Sequence, residues 1–314
     1  MKTLIYQRGR GYYGQLGHGS KDDELLPKKV TELANEVIVD VACGGNHTAA
    51  LTSKGSVYTW GNNSCGRTGH VSTHRTPRLL RKLSNKIVIC ISANGYHTAC
   101  VTQEGKVFTF GSGRYGKLGH GDEVSHHTPK MIDSLEGAKV KQLSCGHYHT
   151  ALCTVEGKVY TFGEGDSGKL GHGDDDDRYL PQLVQALKDY IVTKVQCGKD
   201  HSMALTSDGY VFTWGGNGLN GKLGLSYDSL ESLSLPHVVE ELLEHKASQI
   251  ASFGEHSTVL VDSSPCPVVV LGGDCLIMRN TPTWCSWLRT SLSMPILTSF
   301  VRRANTSKRC FDQR

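Results

Sequence analysis

Apolar and polar residues alternate along this chain in short runs that stop abruptly on an aromatic residue and a glycine. Val57-Tyr58-Thr59-Trp60-Gly61 and Val107-Phe108-Thr109-Phe110-Gly111 are the clearest, and Phe162-Gly163 and Trp214-Gly215 close two more. The runs are too short for amphipathic helices, and their β-branched and aromatic content suits strands. Ahead of each stands a turn pair, Lys54-Gly55, Glu104-Gly105, Glu156-Gly157 or Asp208-Gly209, and ahead of that a brief apolar run such as Ala49-Ala50-Leu51 or Ala151-Leu152. The pattern predicts β-hairpins, with the glycine after each aromatic adopting a positive φ that a side chain would strain.

Laid on itself, the sequence repeats. His47, His97, His149, His201 and His256 lie at intervals of 50, 52, 52 and 55, each in a segment like Cys43-Gly44-Gly45-Asn46-His47-Thr48. Pro27, Pro77, Pro129, Pro181 and Pro236 keep the same intervals and are read as marking a loop. Between them fall glycine-rich turns, best preserved as Tyr115-Gly116-Lys117-Leu118-Gly119-His120-Gly121 and Gly168-Lys169-Leu170-Gly171-His172-Gly173. A period near 50 with several short strands per unit predicts an all-β protein, a β-propeller. The repetitive domain is expected over 1–262, with about five recognisable units. Past Val261 the pattern fades: Val268-Val269-Val270-Leu271-Gly272 reads as a partial further strand, and the rest of 263–314 as a divergent, disordered tail.

Composition sharpens this picture. Thirty-six glycines serve as repeat punctuation, and 38% hydrophobic with 20% charged residues excludes a disordered chain. Apolar stretches are far shorter than a membrane span requires, and no signal-peptide core forms at the start, so a cytoplasmic or nuclear protein is expected. Eleven cysteines, an odd number without CxxC pairs, fit reduced thiols in such a compartment. The net charge is +4, but residues 263–314 hold seven basic against two acidic side chains, so the basicity belongs to the tail. The repetitive body gives no electrostatic reason to expect nucleic acid or chromatin.

Several motifs imitate chemical sites and are read as structural. The GxGxxG runs at 9–14, 111–116 and 163–168 open glycine turns, whereas a dinucleotide site must open a helix. Cys43/His47, Cys145/His149 and Cys197/His201 share a C-x3-H spacing, but a zinc site needs about four convergent ligands. Those histidines, and His18, His70, His120 and His172, are expected to staple turns by bonding backbone groups. Asp174-Asp175-Asp176-Asp177 lacks the loop a calcium site needs and reads as a solvated tip. No cofactor or metal is expected.

The informative positions are the two variable residues within each CGxxH segment, since the flanks are set by the repeat. They read Gly45-Asn46, Gly95-Tyr96, His147-Tyr148, Lys199-Asp200 and Gly254-Glu255. Equivalent loops of a propeller ring one face, and variable loop residues on a rigid scaffold are where recognition resides. Asn46, Tyr96, His147, Tyr148, Lys199, Asp200 and Glu255 are therefore the candidate partner-binding residues, for a protein partner.

The CGxxHT, DGxVYxWG and YGxLGHGD segments, recurring in fixed order over about residues 4 to 262, resemble the repeat of the regulator of chromosome condensation family. That resemblance implies a seven-bladed propeller, for which about five units leave the ring incomplete. It also implies a loop face that engages a Ran-type small GTPase through an aspartate just before the repeat histidine. Asp200 matches that position, which makes guanine-nucleotide exchange the alternative function. Other members are recognition modules within HECT-type ubiquitin ligases, the second alternative. A non-enzymatic interaction module is the leading expectation.

Overall fold

In the computed structural model the described residues are 3–216, 221–225 and 232–262. The chain divides into units 1–263 and 264–314, and the tail expected at 263–314 lies outside the described residues. The predicted hairpins form, and they assemble as antiparallel sheets of four strands. The first complete sheet, or blade, is β3 (Ile38–Cys43), β4 (His47–Thr52), β5 (Val57–Gly61) and β6 (His74–Leu79). The second is β7 (Val88–Asn94), β8 (His97–Thr102), β9 (Val107–Gly111) and β10 (His126–Met131). The third is β11 (Val140–Cys145), β12 (His149–Thr154), β13 (Val159–Gly163) and β14 (Arg178–Leu183). The fourth is β15 (Val192–Cys197), β16 (Ser202–Thr206), β17 (Val211–Trp214) and β18 (His237–Val238). Two-stranded sheets complete the described set: β1 (Tyr6–Gly9) with β2 (Glu24–Lys29), and β19 (Ala247–Phe253) with β20 (His256–Val261).

The first strands of successive sheets, β3, β7, β11, β15 and β19, pack against one another in order, which is the arrangement of a propeller. Side chains bridge them where backbone ladders cannot: Gln142 on β11 donates from Nε2 to Val195 O (3.0 Å) and accepts at Oε1 from Val195 N–H (2.9 Å) on β15. Ser92 and Ser144 hydroxyls likewise accept the N–H groups of Cys145 and Cys197 one blade on.

The core lies between blades. Phe110 of the second blade packs among Leu51, Val57, Leu80 and Leu83 of the first. Phe162 packs on Ile132 and Leu135, Trp214 on Val184 and Leu187, and Trp60 on Val30 and Leu33. Each strand-ending aromatic is thus buried by the preceding repeat, and stability is a sum of nearest-neighbour interfaces. The second strand of a blade has both faces covered, so β4, β8 and β12 are buried at every residue. By contrast β20 alternates exposed and half-buried positions, because no following blade covers it among the described residues.

Two expectations about the backbone meet different outcomes. The glycines after the aromatics do take positive φ, for instance 101° at Gly61 and 115° at Gly111. A Cβ on Gly61 would stand 2.6 Å from Asn46 O. Four of the five periodic prolines, however, do not mark loops: Pro27, Pro77, Pro129 and Pro181 lie inside β2, β6, β10 and β14, whereas Pro236 stands just before β18. These are the outermost strands, where one edge faces no partner strand, and such an edge accommodates a residue without an N–H. Pairing to β6, β10 and β14 is irregular in register.

Phe110 is fully buried whereas Phe253 is 58% exposed. We expect Phe110→Ala to cost about 3–5 kcal/mol and Phe253→Ala less than about 0.5 kcal/mol in urea unfolding of the full chain.

Candidate functional site

Four of the five repeat histidines are each held by the blade that follows. His47 Nε2 meets Thr98 Oγ1 at 2.8 Å, His97 meets Thr150 at 2.9 Å, His149 meets Ser202 at 2.9 Å and His201 meets Ser257 at 2.8 Å. These hydroxyls donate in turn to the carbonyls of Arg67, Lys117, Lys169 and Lys222, at 2.7 to 2.9 Å. A hydroxyl that spends its proton on a carbonyl can only accept from the imidazole, so Nε2 carries the hydrogen. Nδ1 of all four rings is buried without a hydrogen-bond partner. The expected backbone-bonded staple is therefore corrected to a hydroxyl-bonded one that spans two blades. His70, His120 and His172 follow the same chemistry, bonding Thr59, Thr109 and Thr161 of their own blades at 2.9 to 3.0 Å.

The glycine of CGxxH exists for this ring. A Cβ on Gly44 would lie 2.0 Å from His47 Cε1, and on Gly146 and Gly198 it would lie 2.3 and 2.1 Å from the equivalent atoms. Where Asn94 and Phe253 replace that glycine, the hairpin is longer and turns on two residues, Gly95-Tyr96 and Gly254-Glu255. The thiol of the same segment points the opposite way. Cys145 and Cys197 Sγ approach Ser92 O and Ser144 O of the preceding blade at 3.6 and 3.4 Å, so thiol and imidazole of one C-x3-H segment diverge.

The CGxxH loops touch in succession. Gly45 N–H donates to Gly95 O (3.3 Å) and Lys199 N–H to Gly254 O (2.7 Å), while the ring of His147 covers Gly95. The candidate residues fall into two clusters. In one, the rings of Tyr96 and Tyr148 are nearly parallel, 18° apart with centroids at 6.3 Å, and His147 sits 5.5 and 4.3 Å from them. In the other, Lys199 Nζ lies 3.2 Å from Glu255 Oε1 and 3.7 Å from Asp200 Oδ2. Asn46 is half-buried, and among the described residues its side chain hydrogen-bonds to neither cluster.

Sequence reasoning missed the cations beneath this face. The residue after the turn glycine is Arg67, Lys117, Lys169 or Lys222, exposed by only 3%, 0%, 1% and 6%. For Arg67, Lys117 and Lys169 the second variable residue of the next repeat lies against it. Tyr96 lies over Arg67 with the ring centroid 4.7 Å from Cζ, and Tyr148 over Lys117 at 5.2 Å from Nζ. Asp200 Oδ1 is 3.7 Å from Lys169 Nζ, which also meets Glu164 at 2.6 Å. The basic residue recurs in the sequence after Gly66, Gly116, Gly168 and Gly221, a period that was legible but read only as turn. Tyr115 was missed too: it packs edge-on against Tyr148 at 5.5 Å from a backbone of φ 63° that glycine normally takes.

The acidic run is exposed at Asp175 and Asp176, as a solvated tip should be, and its other members are tied down. Asp177 accepts the Gly165 N–H at 2.9 Å, and Arg178 binds Asp174 at 2.7 Å and Asp176 at 3.8 Å. Among the described residues no helix is long and apolar enough to cross a membrane.

Residues 2–261 match the RCC1-like domain family. The chain belongs to that family. It is 36% identical over 266 residues to the human E3 ubiquitin-protein ligase HERC2, covering 83% of this chain and 4% of HERC2. To the Arabidopsis thaliana ultraviolet-B receptor UVR8 it is 33% identical over 255 residues, covering 81% of this chain and 46% of the receptor. The chain thus spans less than half the length of these relatives. Among solved structures, human WBSCR16 superposes with a TM-score of 0.72 at 26% identity, over 83% of this chain and 69% of that one. Yeast RCC1 (Prp20), crystallised with Kap60, gives 0.71 at 22% identity over 83% and 63%, and shows the shared fold.

In this RCC1-like propeller the staples are set against protonation. Burial, with Arg67 adding to it, pushes the His47 imidazole down to about 3; burial drives His97 and His149 well below the ordinary range and His201 to about 4. A second proton would sit on Nδ1, which has no acceptor. Below about 6.5 the unfolded chain therefore binds protons that the folded chain refuses, so stability is lost as pH falls through 6.5 towards 4. Each such histidine contributes up to ~1.4 kcal/mol per pH unit. We expect the Tm to hold from pH 8 to 7 and to fall steeply from 6 to 4.5. His97→Gln should lower the Tm at pH 7 yet flatten that slope; a Tm unchanged down to pH 4.5 would contradict the assignment.

Proposed function

We propose that this chain is a protein-interaction module, without enzymatic activity of its own, that takes a protein partner on the face formed by the CGxxH loops. The observation that carries this reading is the cluster of Tyr96, His147, Tyr148 and Tyr115, partly exposed on loops whose backbones are fixed by the interblade staples. Tyrosines on a rigid frame bury large area at low entropic cost and anchor interfaces well. The module is taken to be residues 1–262. Its described cysteines are free thiols, which supports a reducing compartment, cytoplasm or nucleus. The ligases among its relatives support partner recognition within a ubiquitin ligase as one form of the same reading.

Nucleotide exchange on a small GTPase is less well supported by the geometry. An exchange aspartate must be available to disturb the Mg²⁺ and phosphate environment, whereas Asp200 lies within 3.7 Å of both Lys169 and Lys199.

Affinity purification of the full chain with quantitative mass spectrometry tests the proposal. Tyr96→Ala with Tyr148→Ala should reduce the recovered partners by about tenfold or more, while Val155→Ala in the β12–β13 turn should not. Equal recovery from both would sink the loop-face reading. Labelled GDP should leave Ran-, Arf- and Rab-type GTPases no faster in the presence of the protein than in its absence.

A further inference from the structure

We propose that the sector of the loop face carrying Tyr96, His147 and Tyr148 docks an acidic segment of the partner, with peptide carboxylates received by Arg114 and the tyrosine hydroxyls above Arg67 and Lys117. This rests on the loop-face reading and names the chemistry of the partner.

The argument begins with an imbalance of charge. Arg67, Arg114 and Lys117 stand around three tyrosines, each cation against one ring: Arg67 on Tyr96 at 4.7 Å, Arg114 on Tyr115 at 4.6 Å and Lys117 on Tyr148 at 5.2 Å. None of the three makes an ion pair among the described residues. Their direct hydrogen bonds go to carbonyls, Arg67 Nε to Ser64 O (3.0 Å) and Lys117 Nζ to Arg114 O (3.1 Å). The next sector differs: Lys169 pairs with Glu164 and Asp200, and Lys199 with Asp200 and Glu255.

Buried cations are ordinarily neutralised by a carboxylate. Here a ring face and a carbonyl supply only partial negative charge, and Glu164 and Glu123, the carboxylates that act on Lys117, form no ion pair with it. Glu164 is held by Lys169 at 2.6 Å, and Glu123 accepts from the Tyr179 hydroxyl at 3.3 Å. Burial lowers Lys117 to about 8 against the attraction of Glu164, and repulsion from Arg114 adds a smaller part. The sector therefore sets three cations without an ion pair among the described residues beneath and beside a tyrosine surface, where an incoming carboxylate meets a complementary charge.

Geometry limits the ligand to a short segment. Tyr96 and Tyr148 present nearly parallel rings for the peptide's apolar parts, and the exposed Arg114 offers a planar fork to carboxylates. Aromatic rings with cations also suit single-stranded nucleic acid. A long polyanion, however, would run onto Glu164, Asp200 and Glu255 in the adjoining sector, and the body of the chain outside 263–314 carries slight net negative charge.

The test uses the full chain and three fluorescein-labelled probes: a ten-residue peptide alternating Asp or Glu with Ala, the same peptide with Asn and Gln, and a ten-nucleotide oligothymidine. Fluorescence anisotropy should detect the acidic peptide, with binding weakened about tenfold or more by Arg114→Glu and by raising NaCl from roughly 50 to 300 mM. Lys54→Glu, the same charge reversal at the far end of the strands, should change binding less than about twofold. Thermal melts of both variants check that the fold is intact. No binding of the acidic peptide, equal binding of the amide peptide, or equal losses in the two variants would overturn the proposal. Tighter binding of the oligonucleotide, competing with the peptide, would overturn it in favour of nucleic acid. Should the peptide fail while the tyrosine variants still lose their protein partners, the loop-face reading survives and only the acidic chemistry falls.

Discussion

Everything in this propeller depends on one hydrogen-bonded chain that crosses from blade to blade, imidazole to hydroxyl to turn carbonyl. Each link is worth only about 0.5–1.5 kcal/mol net. Its importance is positional: the histidine comes from one repeat, the hydroxyl from the next, and the carbonyl from the glycine turn of the first. No blade can satisfy these groups alone, just as no blade can bury its own closing aromatic. Apolar burial supplies the bulk of the attraction between blades, and the staple fixes their register.

The same chain builds the candidate face. The carbonyl that ends each relay belongs to the basic residue of the turn, so fixing the carbonyl also fixes where that side chain leaves the backbone. The cation is thereby brought beneath the second variable residue of the following loop. Whether tyrosine or aspartate stands there decides what the cation meets, a ring for Arg67 and Lys117 or a carboxylate for Lys169. One scaffold geometry thus yields an aromatic sector and an ion-paired sector from changes at single positions.

The repeat, its strands and the positive-φ glycines were legible because they are local: alternation, turn pairs and a fixed period carry them. The loop positions Tyr96, His147 and Tyr148 could also be picked out as variable sites just before a recurring histidine. What could not be read was anything whose meaning crosses repeats. The histidine's true partner sits 51 to 56 residues away, and the periodic prolines betray nothing of the unpaired strand edge they occupy. The cation row is the instructive case, since its period was plain while its burial, which follows only from the neighbouring blade, was not.

The pairing of a turn cation with the loop residue of the following repeat means that the unit of recognition is out of phase with the unit of sequence. A duplicated or exchanged repeat cut at its own boundaries carries a cation away from its old cover and a cover away from its old cation. Such an event alters two places on the face at once. Diversification of this surface therefore proceeds more readily by single changes at the covering position, which leave the staple and the blade interface untouched, than by shuffling whole blades.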